Sequence, residues 1–274
     1  MIVFPSCMHS HTHYGDGKNS PEEMILAAIN LGFGSFGFAE HAWAAHDLDV
    51  CIPKDKMQAY RDEILQLKEK YADKIEVYCG LEVEYHGLHD KGGWDYILCS
   101  SHYVHCAKTG KYYLVDRLPA DFEAGVNQAG EGSVQKFVEM YGANIMDIAR
   151  SYRPDIIGHI DLVTKLNRGK RFFDPGASWY KSMWETVAGA IAQSGCVVEV
   201  NTGGMARGYT DEPYPGADIL RILHRQGVPV TLCSDAHQTD TLAYGYGQAL
   251  QLLRGAGYQS IKLWQKGGFT DFSI

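Results

Sequence analysis

The chain has 274 residues, 33 acidic against 25 basic, a formal charge of −8 and an apolar share of 45%. That apolar share is enough for a large core, and an acidic balance without a Lys/Arg block argues against a nucleic-acid or anionic-membrane surface. No apolar run approaches the ~20 residues of a membrane span, so none is expected.

Ile2 to Cys7 reads as a first strand, and Met1-Ile-Val-Phe-Pro5 lacks the basic region and cleavage pattern of a signal peptide. Ser20-Pro21-Glu22-Glu23 supplies an N-cap, a first-turn proline and a capping-box glutamate, so a helix should run to Leu31 and stop at Gly32. Ser35 to Ala39 is the second strand, and a charged amphipathic helix covers Lys54 to Tyr71. Glu76–Leu81 and Tyr96–Ser100 are strands three and four. Tyr103 to Gly132, rich in Gly and aromatic residues, reads as a long irregular functional loop. A helix over Ser133–Ser151 leads to strand five at Asp155–Gly158, and a helix over Trp179–Gln193 leads to strand six at Gly195–Val200. A helix over Ala217–Gln226 precedes strand seven at Val228–Cys233, and a last helix spans about Leu242 to Ala256. Strands alternating with helices at this rhythm predict a parallel α/β sheet. With no linker or internal repeat, the reading is one domain, a barrel of about seven strands, at a length normal for such barrels.

Cys7, Cys51, Cys79, Cys99, Cys106, Cys196 and Cys233 are scattered, odd in number and form no Cys-x-x-Cys pair. Several fall inside strands, so buried free thiols in a reducing cytoplasm are expected.

Six of the strand-like runs end on metal-ligand types: His9-Ser10-His11, Glu40-His41, Glu82-Val83-Glu84, Ser101-His102, Gly158-His159 and Ser234-Asp235-Ala236-His237. A barrel gathers its strand ends on one rim, where a polynuclear metal site can be built. Residues two apart in a strand face the same way, so His9 and His11 can share an ion, and Asp235 and His237 have the same spacing. Barrel closure makes the first and last strands neighbours and brings these pairs together. Glu82 can bridge two ions through its two oxygens, His41, His102 and His159 add nitrogens, and Asp16 in the first loop adds an oxygen. Imidazole and carboxylate without sulfur suit Zn, Mn or Fe, and these nine donors are enough for two to three divalent ions. His13 continues the alternation as a ligand or as pocket lining. His46, His86, His89, His105 and His224 follow no pattern and read as non-ligands.

His9-Ser-His11-Thr-His13, Gly37-Phe-Ala-Glu-His41, Gly80-Leu-Glu82, Ser100-Ser-His102, Gly158-His159-Ile-Asp161 and Ser234-Asp235-Ala-His237 resemble, in order, the motifs of the polymerase and histidinol phosphatase (PHP) family. Glu199-Val-Asn201-Thr-Gly-Gly204 and Glu212-Pro-Tyr-Pro215 are similar to its stand-alone histidinol-phosphatase branch. The resemblance implies a distorted TIM-like (β/α)7 barrel, with residues 1–274 forming one metallophosphoesterase domain, and a trinuclear centre. Carried over by position, His9, His11, Glu82 and Asp235 would hold one ion, Glu82, His102 and His159 a second, and Asp16, His41 and His237 a third. Many members have Ser-Asp-His where this chain has Ala39-Glu40-His41, and some have a histidine where Asp16 stands.

The activity so implied is cytoplasmic hydrolysis of L-histidinol phosphate, in histidine biosynthesis, by a hydroxide shared between two ions. Glu82, Asp235 and His237 are the candidate catalytic groups. Arg207, planar and bidentate, is the first candidate for a phosphate clamp; Lys165 and Arg117 are further candidates, with Arg168 behind them. Glu40, Glu84, Tyr14, Tyr103 and Asp161 stand near the rim, either to receive a cationic substrate or to support the ligands. Two other readings are another small phosphate ester or nucleotide as substrate, and a non-catalytic metal-binding accessory domain. Oligomeric state and native metal are left open by the sequence.

Overall fold

The computed structural model describes residues 6–274, so most of the first expected strand and the signal-peptide reading at Met1–Pro5 lie outside the described residues. In chain order the elements are β1 (Ser6–Cys7), α1 (Pro21–Leu31), β2 (Ser35–His41), α2 (Met57–Lys70), β3 (Glu76–Glu84), β4 (Tyr96–Ser100), β5 (Tyr103–Cys106) and β6 (Lys111–Leu114). They continue with α3 (Pro119–Gln128), α4 (Val134–Asp147), β7 (Ile156–Ile157), α5 (Ser178–Ser194), β8 (Val197–Asn201), α6 (Gly203–Ala206), α7 (Ala217–Arg225), β9 (Val230–Cys233), α8 (Tyr246–Ala256), β10 (Ser260–Gln265) and β11 (Gly268–Ser273).

The main sheet has the order β1-β2-β3-β4-β7-β8-β9, and every neighbouring pair is parallel. A parallel bridge between Ser10 and Ala236 joins its two edges, with the His11 N–H donating to the Ala236 carbonyl at 2.9 Å. The sheet is therefore a nearly closed seven-stranded barrel with helices outside, the architecture expected. Such strands are covered on both faces, which is why β4 (Tyr-Ile-Leu-Cys-Ser) is buried throughout and lacks a polar alternation.

Tyr96 crosses the barrel interior, and its hydroxyl donates to the carbonyls of Met8 (2.6 Å) and Phe38 (2.8 Å). Its side chain needs glycine on β3 and β2: a Cβ at Gly80 or at Gly37 would stand 2.6 Å from Tyr96 atoms. α1 begins as its sequence predicts, with the Glu23 N–H donating to Ser20 Oγ, the Ser20 N–H donating to Glu23 Oε2 and Pro21 in the first turn. It ends at Gly32 in a left-handed conformation, φ 81°. The outer helices bury one face each; α7 buries Ile219, Leu220, Ile222 and Leu223.

Three expectations need correction. The stretch from Tyr103 to Gly132 is not irregular: β5 and β6 form an antiparallel hairpin and α3 follows it. Its aromatic richness comes from strand residues packed on the rim. The helix drawn to Ser151 ends at Asp147 and passes into a π-helical turn over Ile148–Tyr152. The third strand, drawn to Leu81, runs on through Glu82 to end at Glu84, because parallel pairing with β2 and β4 extends it.

Beyond Ala256 the sequence carries no predicted element. There β10 and β11 make an antiparallel hairpin across the end of the barrel where β3 begins. The Lys266 N–H donates to Glu76 (2.8 Å), and the Trp264 ring packs against Tyr96, Tyr78 and Phe269.

Candidate metal centre

The site stands at the other end of the barrel. β2 and β3 pair in register so that His41 lies beside Glu82. The closing bridge brings the segment holding His9 and His11 beside the one holding Asp235 and His237. Three groups of donors result, each with its ligand atoms within 4.8 Å of one another: His9, His11 and Asp235; Glu82, His102 and His159; and His11, Asp16, His41 and His237. All nine candidate ligands fall in these groups. His13 falls outside them, exposed and stacked on Tyr14, and so do His46, His86, His89, His105 and His224.

Glu82 is the hub. Its Oε2 lies 3.2 Å from His9, 3.7 Å from His11 and 2.9 Å from His41. Its Oε1 lies 3.0 Å from His159 and 3.8 Å from His102. One oxygen thus faces each of two donor groups, the placement that a bridging carboxylate requires.

Buried polar atoms are normally hydrogen-bonded. Here His9 Nε2, His11 Nε2 and Glu82 Oε2 are buried, with both nitrogens within 3.7 Å of the oxygen, yet among the described residues none is satisfied by a hydrogen bond of good geometry. Unpartnered nitrogen and oxygen donors converging on common points, with no thiolate among them, are what divalent cations satisfy. The residues present therefore fit several divalent ions.

The protonation state of the ion-free protein agrees. Burial opposes charge on His41, but the Glu82 carboxylate prevails and lifts its pKa to about 10. At His102 burial is likewise overcome, by Glu84 and then Glu82, and the pKa rises to about 9. Burial pushes the other way on Glu82 and Asp235, yet both are held well below the usual carboxylate range, Glu82 by His41 and His9 and Asp235 by Arg207 and His9. The cluster holds itself together with protons where cations would stand.

A second layer orients the imidazoles. Glu199, fully buried in β8, binds His9 Nδ1 at 2.6 Å and accepts the backbone N–H of His159 at 2.9 Å. Glu84 binds His102 Nδ1 at 3.0 Å, and Glu40 faces His11 Nδ1 at 3.6 Å while accepting from Thr12. Carboxylates in this position fix the tautomer of a ligand histidine. Glu199 is the site residue missed from the sequence. Its signal was a charged residue inside the apolar run Cys196-Val-Val-Glu-Val200, since a buried charge is the informative exception in a core. Glu40 and Glu84 sort to ligand support, Tyr14 donates to Glu63, and Asp161 is buried, accepting the Gly216 N–H.

Above the donors lies a cavity of about 300 Å³ whose lining includes Asp47, Asp116, Arg117, Lys165, Arg207 and Tyr209. Arg207 donates to Asp235 Oδ2 at 2.8 Å and to the Asp235 carbonyl at 3.1 Å, and lies 3.1 Å from His237 Nδ1. Lys165 pairs with Asp116 at 2.8 Å, Arg117 with Asp49 at 3.3 Å, and Arg168 with Asp211 at 3.3 Å, outside this cavity. Asp235 sits at φ 49°, a left-handed conformation that Asp tolerates better than most residues and that turns its carboxylate back to His11 (3.1 Å).

Comparison with known proteins matches this picture. The family model for the PHP domain matches residues 8–203. A Schizosaccharomyces pombe protein named "Probable histidinol-phosphatase" is 26% identical over 282 residues, covering 94% of this chain and 89% of its own. A solved chain from Listeria monocytogenes superposes with a TM-score of 0.77 at 19% identity, over 89% of this chain and 99% of that one. The histidinol phosphate phosphatase of Lactococcus lactis, solved with zinc, L-histidinol and phosphate, has a TM-score of 0.70 at 19% identity, over 97% and 98% of the two chains. The structural likenesses establish a shared fold. No helix among the described residues is long and apolar enough to cross a membrane.

Proposed function

This chain belongs to the PHP-domain family, and from that premise we propose that it is a metal-dependent phosphomonoesterase that hydrolyses L-histidinol phosphate to L-histidinol and phosphate. The observation that carries the reaction class is Glu82, one oxygen toward each donor group, at the base of a cavity that also holds Arg207 and Lys165. The substrate is the one named for relatives similar along nearly the whole chain. Residues 1–274 act as one metallophosphoesterase domain, working in the cytoplasm on a small molecule.

His9, His11, Glu82 and Asp235 would hold one ion, Glu82, His102 and His159 a second, and Asp16, His41 and His237 a third. Divalent ions there lower the pKa of water toward neutrality and neutralise phosphate charge. Asp235 and His237 hold their part of the cup through Arg207, which touches both. Arg207 and Lys165 offer N–H donors to phosphate oxygens, already oriented by Asp235 and Asp116; Arg117 stands further out, half-exposed on Asp49. Glu199, Glu84 and Glu40 keep the ligand imidazoles aimed.

The test is phosphate release from L-histidinol phosphate, p-nitrophenyl phosphate and AMP by metal-loaded protein. The reading expects the highest kcat/KM for L-histidinol phosphate. Preference for AMP would redirect it to nucleotides, and metal uptake without hydrolysis of any ester would replace it with a binding module.

A further inference from the structure

The charged residues that line the cavity beyond the ligand candidates are not alike. Lys165 is neutralised by Asp116, Arg207 by Asp235 and Arg117 by Asp49. Asp47 is the exception. Among the described residues no Lys, Arg or His nitrogen lies within ion-pairing distance of its carboxylate. Its side-chain partner is neutral: the Tyr103 hydroxyl donates to Asp47 Oδ1 at 2.8 Å.

The surroundings hold this carboxylate in place. Asp47 is half-buried in the loop after β2, with its N–H donating to the Ala44 carbonyl at 3.1 Å. The preceding residue, His46, stacks on Tyr112 of β6 (centroids 4.3 Å apart) and meets the edge of Tyr103 of β5 (4.9 Å). The β5–β6 hairpin therefore clamps the segment carrying Asp47. A carboxylate serving only the fold would have a cation or several donors. One held rigidly at a cavity wall, with a phenol on one oxygen, keeps the other for a ligand that brings positive charge.

We infer that Asp47, positioned by Tyr103, is a specificity-determining residue that receives a positively charged nitrogen, ammonium or imidazolium, in the alcohol part of the phosphate ester. This rests on the phosphomonoesterase reading and names what that site selects: esters with phosphate at one end and a cation at the other. Neutral and anionic alcohols gain nothing from Asp47.

The experiment compares kcat/KM for L-histidinol phosphate with that for p-nitrophenyl phosphate, and measures binding of L-histidinol by calorimetry, in metal-loaded wild type, Asp47→Asn, Asp47→Glu and Tyr103→Phe. Asparagine still accepts from Tyr103 but carries no charge. In Asp47→Asn the ratio of the two kcat/KM values should fall about tenfold or more, the loss of one charge-assisted hydrogen bond, and L-histidinol should bind correspondingly less tightly. Asp47→Glu should recover part of the ratio, and Tyr103→Phe should lower it less than Asp47→Asn does. A ratio and a histidinol affinity both unchanged within about twofold in Asp47→Asn, with the wild type still preferring L-histidinol phosphate, would overturn the assignment and leave the function standing. Histidinol binding that depends on Asp47 in a protein that hydrolyses neither ester would do the reverse. Should Asp47→Asn fail to fold by thermal melting, an unchanged ratio in Tyr103→Phe overturns the assignment and a lowered one supports it.

Discussion

At the upper rim of the barrel, His9, Glu82 and Asp235 are buried ionisable groups balanced by one another and by charged neighbours of the same site, Glu199, His41 and Arg207. At the lower end, Trp264 on the β10–β11 hairpin packs on Tyr96 and Tyr78 and seals the core with aromatic area. The rim concentrates charge where water is scarce, an arrangement favourable only when a cation or its stand-in protons are present. The floor has no such demand and stabilises by burial alone. The same chain thus separates the part that reacts from the part that holds, and the two should fail independently.

The sharpest break is at the rim. His9→Ala or Asp235→Ala should reduce metal content by mass spectrometry and phosphate release to background together, and full turnover in either variant refutes the ligand assignment. At the floor, Trp264→Ala should lower unfolding free energy in urea by about 3–5 kcal/mol. Metal content and kcat of the folded fraction should not change; a parallel loss of metal would show that the ends are coupled.

Smaller effects probe the layer between. Glu199→Gln keeps the shape but removes the charge that orients His9, so metal affinity by chelator competition should drop about 10–100-fold. Unaltered affinity would make Glu199 a packing residue. The pKa shifts give the mildest test. His41, at about 10, and His102, at about 9, are lifted above the ordinary 6.5, so in the ion-free protein their contribution to stability is complete below about pH 6.5 and is lost as pH rises through 9 to 10. Metal binding needs the neutral imidazoles, so uptake near pH 7.5 should release protons and strengthen as pH rises. Calorimetry in buffers of different ionisation enthalpy reads that release, and zero protons would mean that the ions bind elsewhere.

Much of the site was legible because ligand types recur where apolar runs end, and β-strand spacing sets His9 with His11 and Asp235 with His237. The supporting groups were harder to see. Glu199 is spelled like any strand residue until its neighbours across the barrel are known, and Asp47 lies in a loop with no periodicity. The β5–β6 hairpin hid behind Gly and aromatic residues that also suit a loop. The β10–β11 hairpin lay beyond the last helix, where no alternation with helices remained to guide assignment.

Local sequence determined the alternating strands and helices, the cap and stop of α1 and the chemical type of each donor, because these depend on spacing along the chain and on side-chain identity. Only the tertiary structure decided that His11 stands near two donor groups, that Glu82 turns one oxygen to each of two, that Arg207 is spoken for by Asp235 and that Asp47 meets no cation among the described residues. These are properties of distance and burial between segments far apart in sequence, such as those holding His11 and His237, whose rings stack 4.2 Å apart. They come into being when the barrel closes and water leaves.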